Sequence, residues 1–315
     1  MNPLAALYGA AVRARNELYD RETLTFHHLQ GPVISIGNLA VGGSGKTPFL
    51  ILLGELLKDR GILFNVLSRG YGRMTAGLRL VDPLGSSREY GDEPLLIARK
   101  LEVPVIVGED RYAAGRLAEE QFGARLHLLD DGFQHRRLAR ELDIVLATSS
   151  DARDSLLPIG RLREPLSSLG RADAVVLTND MPADGLGLER QQVWRVTRGI
   201  VAPQTKEPCL AFCGIARPHN FVAQLRTAGV MLAGTRSFRD HQRYSAEDVR
   251  QLLRLRVQVG ATAFVTTEKD AVNLDGYLEA LQPVHVVPLT MRLHNAPAVL
   301  EFILNTVSER KRRPA

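Results

Sequence analysis

The segment Ile34-Ser35-Ile36-Gly37-Asn38-Leu39-Ala40-Val41-Gly42-Gly43-Ser44-Gly45-Lys46-Thr47 constrains this chain more than any other stretch. Val33 to Ile36 is a short, β-branched apolar run suited to a central strand, whereas Phe49, Leu50, Leu53, Leu56 and Leu57 recur at helical spacing after Thr47. The order is therefore strand, glycine loop, helix. Gly42, Gly43 and Gly45 lack Cβ, so the loop can curl with its N–H groups turned inward at the positive end of the helix, where they hold phosphate oxygens. Lys46 adds a cation for the β- and γ-phosphates of a nucleotide, and the Thr47 hydroxyl suits Mg²⁺. Ala40 stands where the strict G-x-x-x-x-G-K-[ST] pattern has its first glycine, and Gly42-Gly43 supply the flexibility instead. Residues Ala40, Val41, Gly42, Gly43, Ser44, Gly45, Lys46 and Thr47 are the expected nucleotide-binding segment. Pro48 fits the first helical turn, whose N–H groups have no intrahelical acceptor.

With 315 residues the chain has room for two domains or one large one. The formal charge of +5 favours an anionic partner, but aromatics make up only 6% of residues and no basic stripe interleaved with aromatics suggests nucleic acid. Cys209 and Cys213 are too few for a disulfide framework and are expected as buried thiols. No stretch reaches the roughly 20 apolar residues of a membrane span. In the N-terminal stretch the arginines follow the apolar run, the reverse of a secretory signal. Leu4, Leu7, Tyr8, Ala11 and Val12 fall on one helical face, which can lie in a membrane interface or pack on the protein.

Downstream, strands at 62–67, 103–107, 126–129, 143–147 and 174–177 alternate with helical patterns at 92–100 and 110–122, the signature of a parallel sheet covered on both faces. Asp92 opens one of these helices. The strand Leu126–Leu129 ends in Asp130-Asp131, the form of a second nucleotide signature in which a carboxylate at a strand's carboxyl end holds Mg²⁺. Because such ends gather on one sheet edge, Asp130 is expected beside Lys46. In Leu162-Arg163-Glu164-Pro165, Arg163 is a candidate phosphate contact and Glu164 a candidate metal ligand. Thr178-Asn179-Asp180 are candidates for the nucleotide's base. The pattern loosens at 181–188, so we expect a nucleotide-binding domain over 31–185 and a C-terminal α/β lobe over 186–315, after an N-terminal segment, 1–30. That lobe carries chemistry in Asp240-His241 and in Thr267-Glu268-Lys269-Asp270.

These motifs together resemble the tetraacyldisaccharide 4′-kinase family, over nearly the whole chain. The resemblance rests on Gly37 to Pro48, Ser68-Arg69-Gly70-Tyr71-Gly72, Gly91-Asp92-Glu93-Pro94, Asp130 to Arg137, Leu162 to Pro165, Asp240-His241 and Thr267 to Ala271. The family's paired histidine after Asp240 is here His241-Gln242. The resemblance implies an ATP- and Mg²⁺-dependent kinase of α/β class: a P-loop parallel sheet with helices on both faces plus a second, smaller α/β lobe. It implies phosphorylation of the 4′-hydroxyl of an acylated glucosamine disaccharide 1-phosphate to lipid IVA, by a peripheral enzyme on the cytoplasmic face of the bacterial inner membrane. Its catalytic residues would be Asp92, His241, Lys46, Asp131 and Arg163, and its metal would lie at Thr47, Asp130 and Glu164. No obligate protein partner is evident. From the residues alone, a nucleotide-driven switch or chaperone stays open as the alternative.

Overall fold

We describe residues 3–179 and 181–312 of a computed structural model. In chain order the elements are α1 (Pro3–Asp20), β1 (Val33–Asn38), α2 (Lys46–Asp59), β2 (Asn65–Ser68), β3 (Arg79–Leu80), α3 (Ser87–Tyr90), α4 (Asp92–Leu101), β4 (Val105–Val107), α5 (Arg111–Phe122), β5 (His127–Asp130), β6 (Leu142–Ala147) and β7 (Ala174–Thr178). They continue with β8 (Gln192–Ile200), β9 (Cys209–Cys213), α6 (Pro218–Thr227), β10 (Leu232–Ser237), α7 (Ala246–Gln258), β11 (Ala263–Thr267), α8 (Glu268–Leu274), β12 (Val284–Val287), β13 (Leu289–Leu293) and α9 (Ala296–Arg312).

The larger sheet has strand order β13-β8-β7-β6-β1-β5-β2-β4-β3. Strands β1, β2 and β4 to β7 are buried on both faces, and their alternate side chains go to different helices. Ile34 and Ile36 of β1 pack with α2, α4 and α9, while Val33 meets the small residues Ala114 and Ala118 of α5. Only the edges run antiparallel, β3 against β4 and β13 against β8. The register pairs Ile36 with Asp130 and Leu67 with Leu129, so the carboxyl ends of β1, β5 and β2 lie side by side.

The second sheet, β10-β9-β11-β12, is parallel throughout. Cys209, Ala211 and Cys213 face Phe221 and Leu225 of α6, and Leu210 and Phe212 face Val249 and Leu252 of α7. Both thiols are buried and free. Three elements from the 186–315 stretch belong to the larger sheet's side of the molecule: β8 and β13 extend its edge, and α9 packs Val299, Leu300, Ile303 and Val307 into its main core. Near the end of α9, Arg310 pairs with Asp173 and Lys311 donates to the Leu29 carbonyl.

Candidate active site

The phosphate loop leaves β1 and turns at Gly42, Gly43 and Gly45, all at positive φ. At Gly45, φ +87°, the backbone demands glycine, and a Cβ there would also push on the flexible Arg198 guanidinium 2.7 Å away. Ala40 needs no such freedom, since it is buried and bridges to Leu162, while Val41 donates to the Arg161 carbonyl. The residue in place of the first glycine thus holds the loop to the segment that carries Arg163. Lys46 begins α2, and its ammonium lies 2.9 Å from Asn38 Oδ1 and 3.3 Å from Asp131 Oδ1. Arg163 grips both oxygens of Asp131, at 2.8 and 2.7 Å, and reaches Asn38 Oδ1 at 2.5 Å. Burial would raise the Asp131 pKa, but Lys46 and Arg163 hold it far below the usual carboxylate range.

Asp130 differs from its neighbour. One of its oxygens accepts from the Ser68 hydroxyl at 2.8 Å; the other is buried with no hydrogen-bond partner. Burial, and the negative Glu93 and Asp131, push its pKa up to about 7. A buried acid with a spare oxygen, facing the same cleft as the Thr47 hydroxyl, fits a hard cation. Among the described residues no three His, Cys, Asp or Glu form a ready-made metal cage. That suits Mg²⁺, which takes one or two protein ligands and completes its shell with water and nucleotide phosphates.

Glu164 is not brought to this place. It is fully buried, taking Arg171 at 2.6 Å and Asn16 of α1 at 2.8 Å, with Arg15 3.5 Å away. Burial raises and these partners lower its pKa, with a net fall. The expectation of a metal ligand at Glu164 is corrected accordingly: both of its oxygens are committed to tying α1 to the 3₁₀ turn Leu166–Arg171. The base-contact expectation at Thr178-Asn179 fails similarly, because neither lines the cleft and Asn179 bonds Thr197; Asp180 lies outside the described residues.

Asp92 and His241 meet across the lobes. Gly91, at φ +92°, turns the chain into α4, and Asp92 follows as its first residue, buried. His241, itself at positive φ in the loop after β10, sets Nδ1 2.9 Å from Asp92 Oδ2. Asn273 of α8 donates to the same oxygen at 3.1 Å, and the Glu93 N–H to the other. Burial would raise the Asp92 pKa, yet His241, Lys269 and Asn273 lower it to about 2. The histidine is pushed the opposite way: burial lowers its pKa, Asp92 raises it, and the net shift is upward. The loop is held because His241 N donates to the Gly214 carbonyl, and Gly214 N donates to the buried Asp270.

Phosphate loop, Asp130, Asp131, Arg163, Asp92 and His241 all line one cleft of about 900 Å³ between the two lobes. Lys269, Asn273, Asn38 and Arg198 were not singled out from sequence as site residues. Lys269 stood within a motif already noted, but only the fold reveals that α8 aims it at Asp92. Arg198 lies on β8, a strand the sequence reading passed over, and its guanidinium donates to the Ser44 carbonyl.

The model of the tetraacyldisaccharide-1-P 4′-kinase family matches residues 1–308. The tetraacyldisaccharide 4′-kinase of Koribacter versatilis is 50% identical over 321 residues, covering 99% of this chain and 100% of the relative, and that of Geobacter metallireducens is 39% identical with 96% of each covered. The crystal structure of LpxK from Aquifex aeolicus in complex with ATP superposes with a TM-score of 0.80 at 34% identity, covering 97% of this chain and 98% of that one. With a family match over nearly its whole length, and a phosphate loop and an acid–histidine pair facing one cleft, this chain belongs to the tetraacyldisaccharide 4′-kinase family.

Proposed function

We propose that this chain transfers the γ-phosphoryl group of ATP to the 4′-hydroxyl of a tetraacyldisaccharide 1-phosphate, with Asp92 as general base. The observation that carries the reading is the Asp92–His241 pair, drawn from the two lobes onto the wall of the cleft that holds the phosphate loop. A sugar hydroxyl is a weak nucleophile, and phosphoryl transfer asks the protein mainly for placement and charge stabilisation. The loop N–H groups at 42–47 receive the phosphates. Lys46 and Arg163, now on Asp131 and Asn38, are within reach of a γ-phosphate that would share them. Thr47 and Asp130 would hold Mg²⁺, which neutralises charge developing between the β- and γ-phosphates. Asp92, ionised at neutral pH, accepts the hydroxyl proton, and His241 orients it. Asp131 acts through the two cations it holds.

The acceptor's acyl chains cannot enter water, so the work is done at a bilayer surface, peripherally and on the cytoplasmic face of the inner membrane, where ATP is. No helix among the described residues is long and apolar enough to cross a membrane. The N-terminal segment 1–30 supplies the contact through α1, which exposes Leu4 (60%), Leu7 (70%) and Ala11, and the 186–315 stretch closes over the cleft. Val12 is buried and Tyr8 half-buried, its hydroxyl on the Arg163 carbonyl, so these two are packing residues rather than membrane contacts.

Purified protein with Mg-ATP and a tetraacyldisaccharide 1-phosphate in detergent is expected to yield a lipid heavier by one phosphate, read by mass spectrometry. ATP hydrolysis with no such product, stimulated instead by a protein partner, would replace this reading with a nucleotide switch.

A further inference from the structure

Behind Asp92 and His241 lies a lysine to which the reaction above gives no role. The Lys269 ammonium, on the first turn of α8, sits 3.2 Å from His241 Nε2, 3.4 Å from Glu93 Oε1, 3.5 Å from Asp240 Oδ1 and 3.7 Å from Asp92 Oδ2. An ammonium has donors and no acceptor. Its contact with Nε2 is a hydrogen bond only if Nε2 carries the lone pair, and in a neutral ring the proton is then on Nδ1, the nitrogen facing Asp92. A ring protonated on both nitrogens would point an N–H at the ammonium.

From this geometry we infer that Lys269 is the positioning residue of the pair: it fixes His241 as the Nδ1–H tautomer, a donor to Asp92, and leaves Asp92 as the group that takes the acceptor's proton. The inference rests on the reading of Asp92 as general base. The charged and titratable groups facing the ring are Asp92 from α4, Asp240 beside it in the loop, Lys269 from α8, and the Tyr71 ring edge, 5.4 Å between centroids, while Glu93 pairs with the lysine rather than the ring. Two carboxylates, Asp92 and Asp240, favour an imidazolium, and the ammonium beside them opposes it. Lys269 therefore limits how far Asp92 raises the histidine's pKa.

The same network fixes ring and ammonium to one another. Asp270, next to Lys269 and fully buried, accepts from Gly214 N at 2.7 Å, Tyr244 Oη at 2.7 Å and Thr267 Oγ1 at 2.6 Å. Gly214 in turn holds the backbone of His241. Ammonium and imidazole thus hang on one buried carboxylate, and the short helix α8 presents Lys269 and Asn273 to Asp92 from one side.

The test uses the full chain labelled with ¹⁵N-histidine, with His241→Gln to assign the ring signals, and kcat and KM for ATP against pH in wild type, Lys269→Met and Lys269→Arg. Neutral wild-type His241 is expected to show a protonated Nδ1 and a bare Nε2. Lys269→Met should raise its titration midpoint by about one pH unit or more and lower kcat near neutral pH by about 10-fold or more, the loss recovering as pH rises, with KM for ATP little changed. Lys269→Arg, which keeps the charge, should restore the midpoint. A wild-type Nε2–H tautomer, or a midpoint unmoved in Lys269→Met, overturns the inference; should Lys269→Met fail to fold, the wild-type spectrum still decides. Asp92→Asn with wild-type kcat would remove the general-base reading and leave the tautomer to its spectrum, whereas an inactive Asp92→Asn with an Nε2–H ring would remove this inference alone.

Discussion

At Asp92 burial and charge pull in opposite directions, and charge wins. A carboxyl lowered from 3.8 to about 2 has its stabilising contribution fully present above the unfolded pKa and loses it as pH falls through the folded value. A shift of nearly two units is worth about 2 kcal/mol. His241 runs the other way: its pKa is raised, so its contribution is complete below the unfolded value of 6.5 and fades as pH rises through the folded one. The pair therefore stabilises the closed lobes most between about pH 4 and 6.5. Urea unfolding should give a stability gap between wild type and Asp92→Asn that shrinks as pH drops from 4 to 2. A gap constant over that range would mean that the Asp92 charge does not hold the lobes. Which residues gather at the cleft was legible where type and local setting suffice, as with Lys46 after glycines or Asp130 at a strand end. Glu164 misled because its orientation depends on Asn16 and Arg171, which the chain brings to it only in three dimensions.

Among the elements, those with a strong internal period were readable: α2, α4, α5 and the central strands fall where their patterns place them, and Asp110 caps α5 by accepting from Ala113 N. The strands β8 and β13 were not. They lie at one side of the sheet and are half-exposed: β8 carries no sustained alternation or apolar run, and β13, Leu289-Thr290-Met291-Arg292-Leu293, alternates over only five residues. α8 leaves no period in the sequence, since its seven residues are too few to show one and its fixing interactions, Thr267 as N-cap and Asp270 to Gly214, are polar. At this scale Glu164 gives a second prediction. Glu164→Gln leaves Arg171 without its charged partner and should cost about 2 kcal/mol, a melting point lower by about 5 °C. Its Mg²⁺ dependence should match wild type. A variant that melts normally but needs much more Mg²⁺ would return Glu164 to the metal.

Over the whole molecule the larger sheet fixes the nucleotide side and the smaller one delivers His241, with Arg217 of the second lobe bonded to Ser150 of the first at 2.6 Å. Ala216 stands over Gly42, and Ala216 and Arg217 over Gly43, close enough that a Cβ on either glycine would touch them. A second, smaller α/β lobe was legible in the sequence, although β8, β13 and α9, all beyond 181–188, belong with the larger sheet. That the chain's last helix returns to the first sheet was not, because its apolar face at Val299, Leu300, Ile303 and Val307 fits either lobe. Removing residues 1–15 should weaken binding to anionic vesicles through loss of Leu4 and Leu7. Because Tyr8 and Asn16 tie α1 to Arg163 and Glu164, a cleaner variant is Leu4→Ser with Leu7→Ser, which should lose vesicle binding in flotation while keeping turnover on detergent-dispersed substrate. Undiminished flotation of that double variant would assign the membrane contact elsewhere.

A base assembled between the lobes is tested most directly by kcat for 4′-phosphorylation in Asp92→Asn, His241→Ala and the double variant, with ATP affinity determined alongside. The expected result is a loss of about 10²-fold or more in Asp92→Asn with ATP binding retained, and a double variant no worse than the poorer single, because the two side chains act as one unit. Near-normal kcat in both single variants would contradict it.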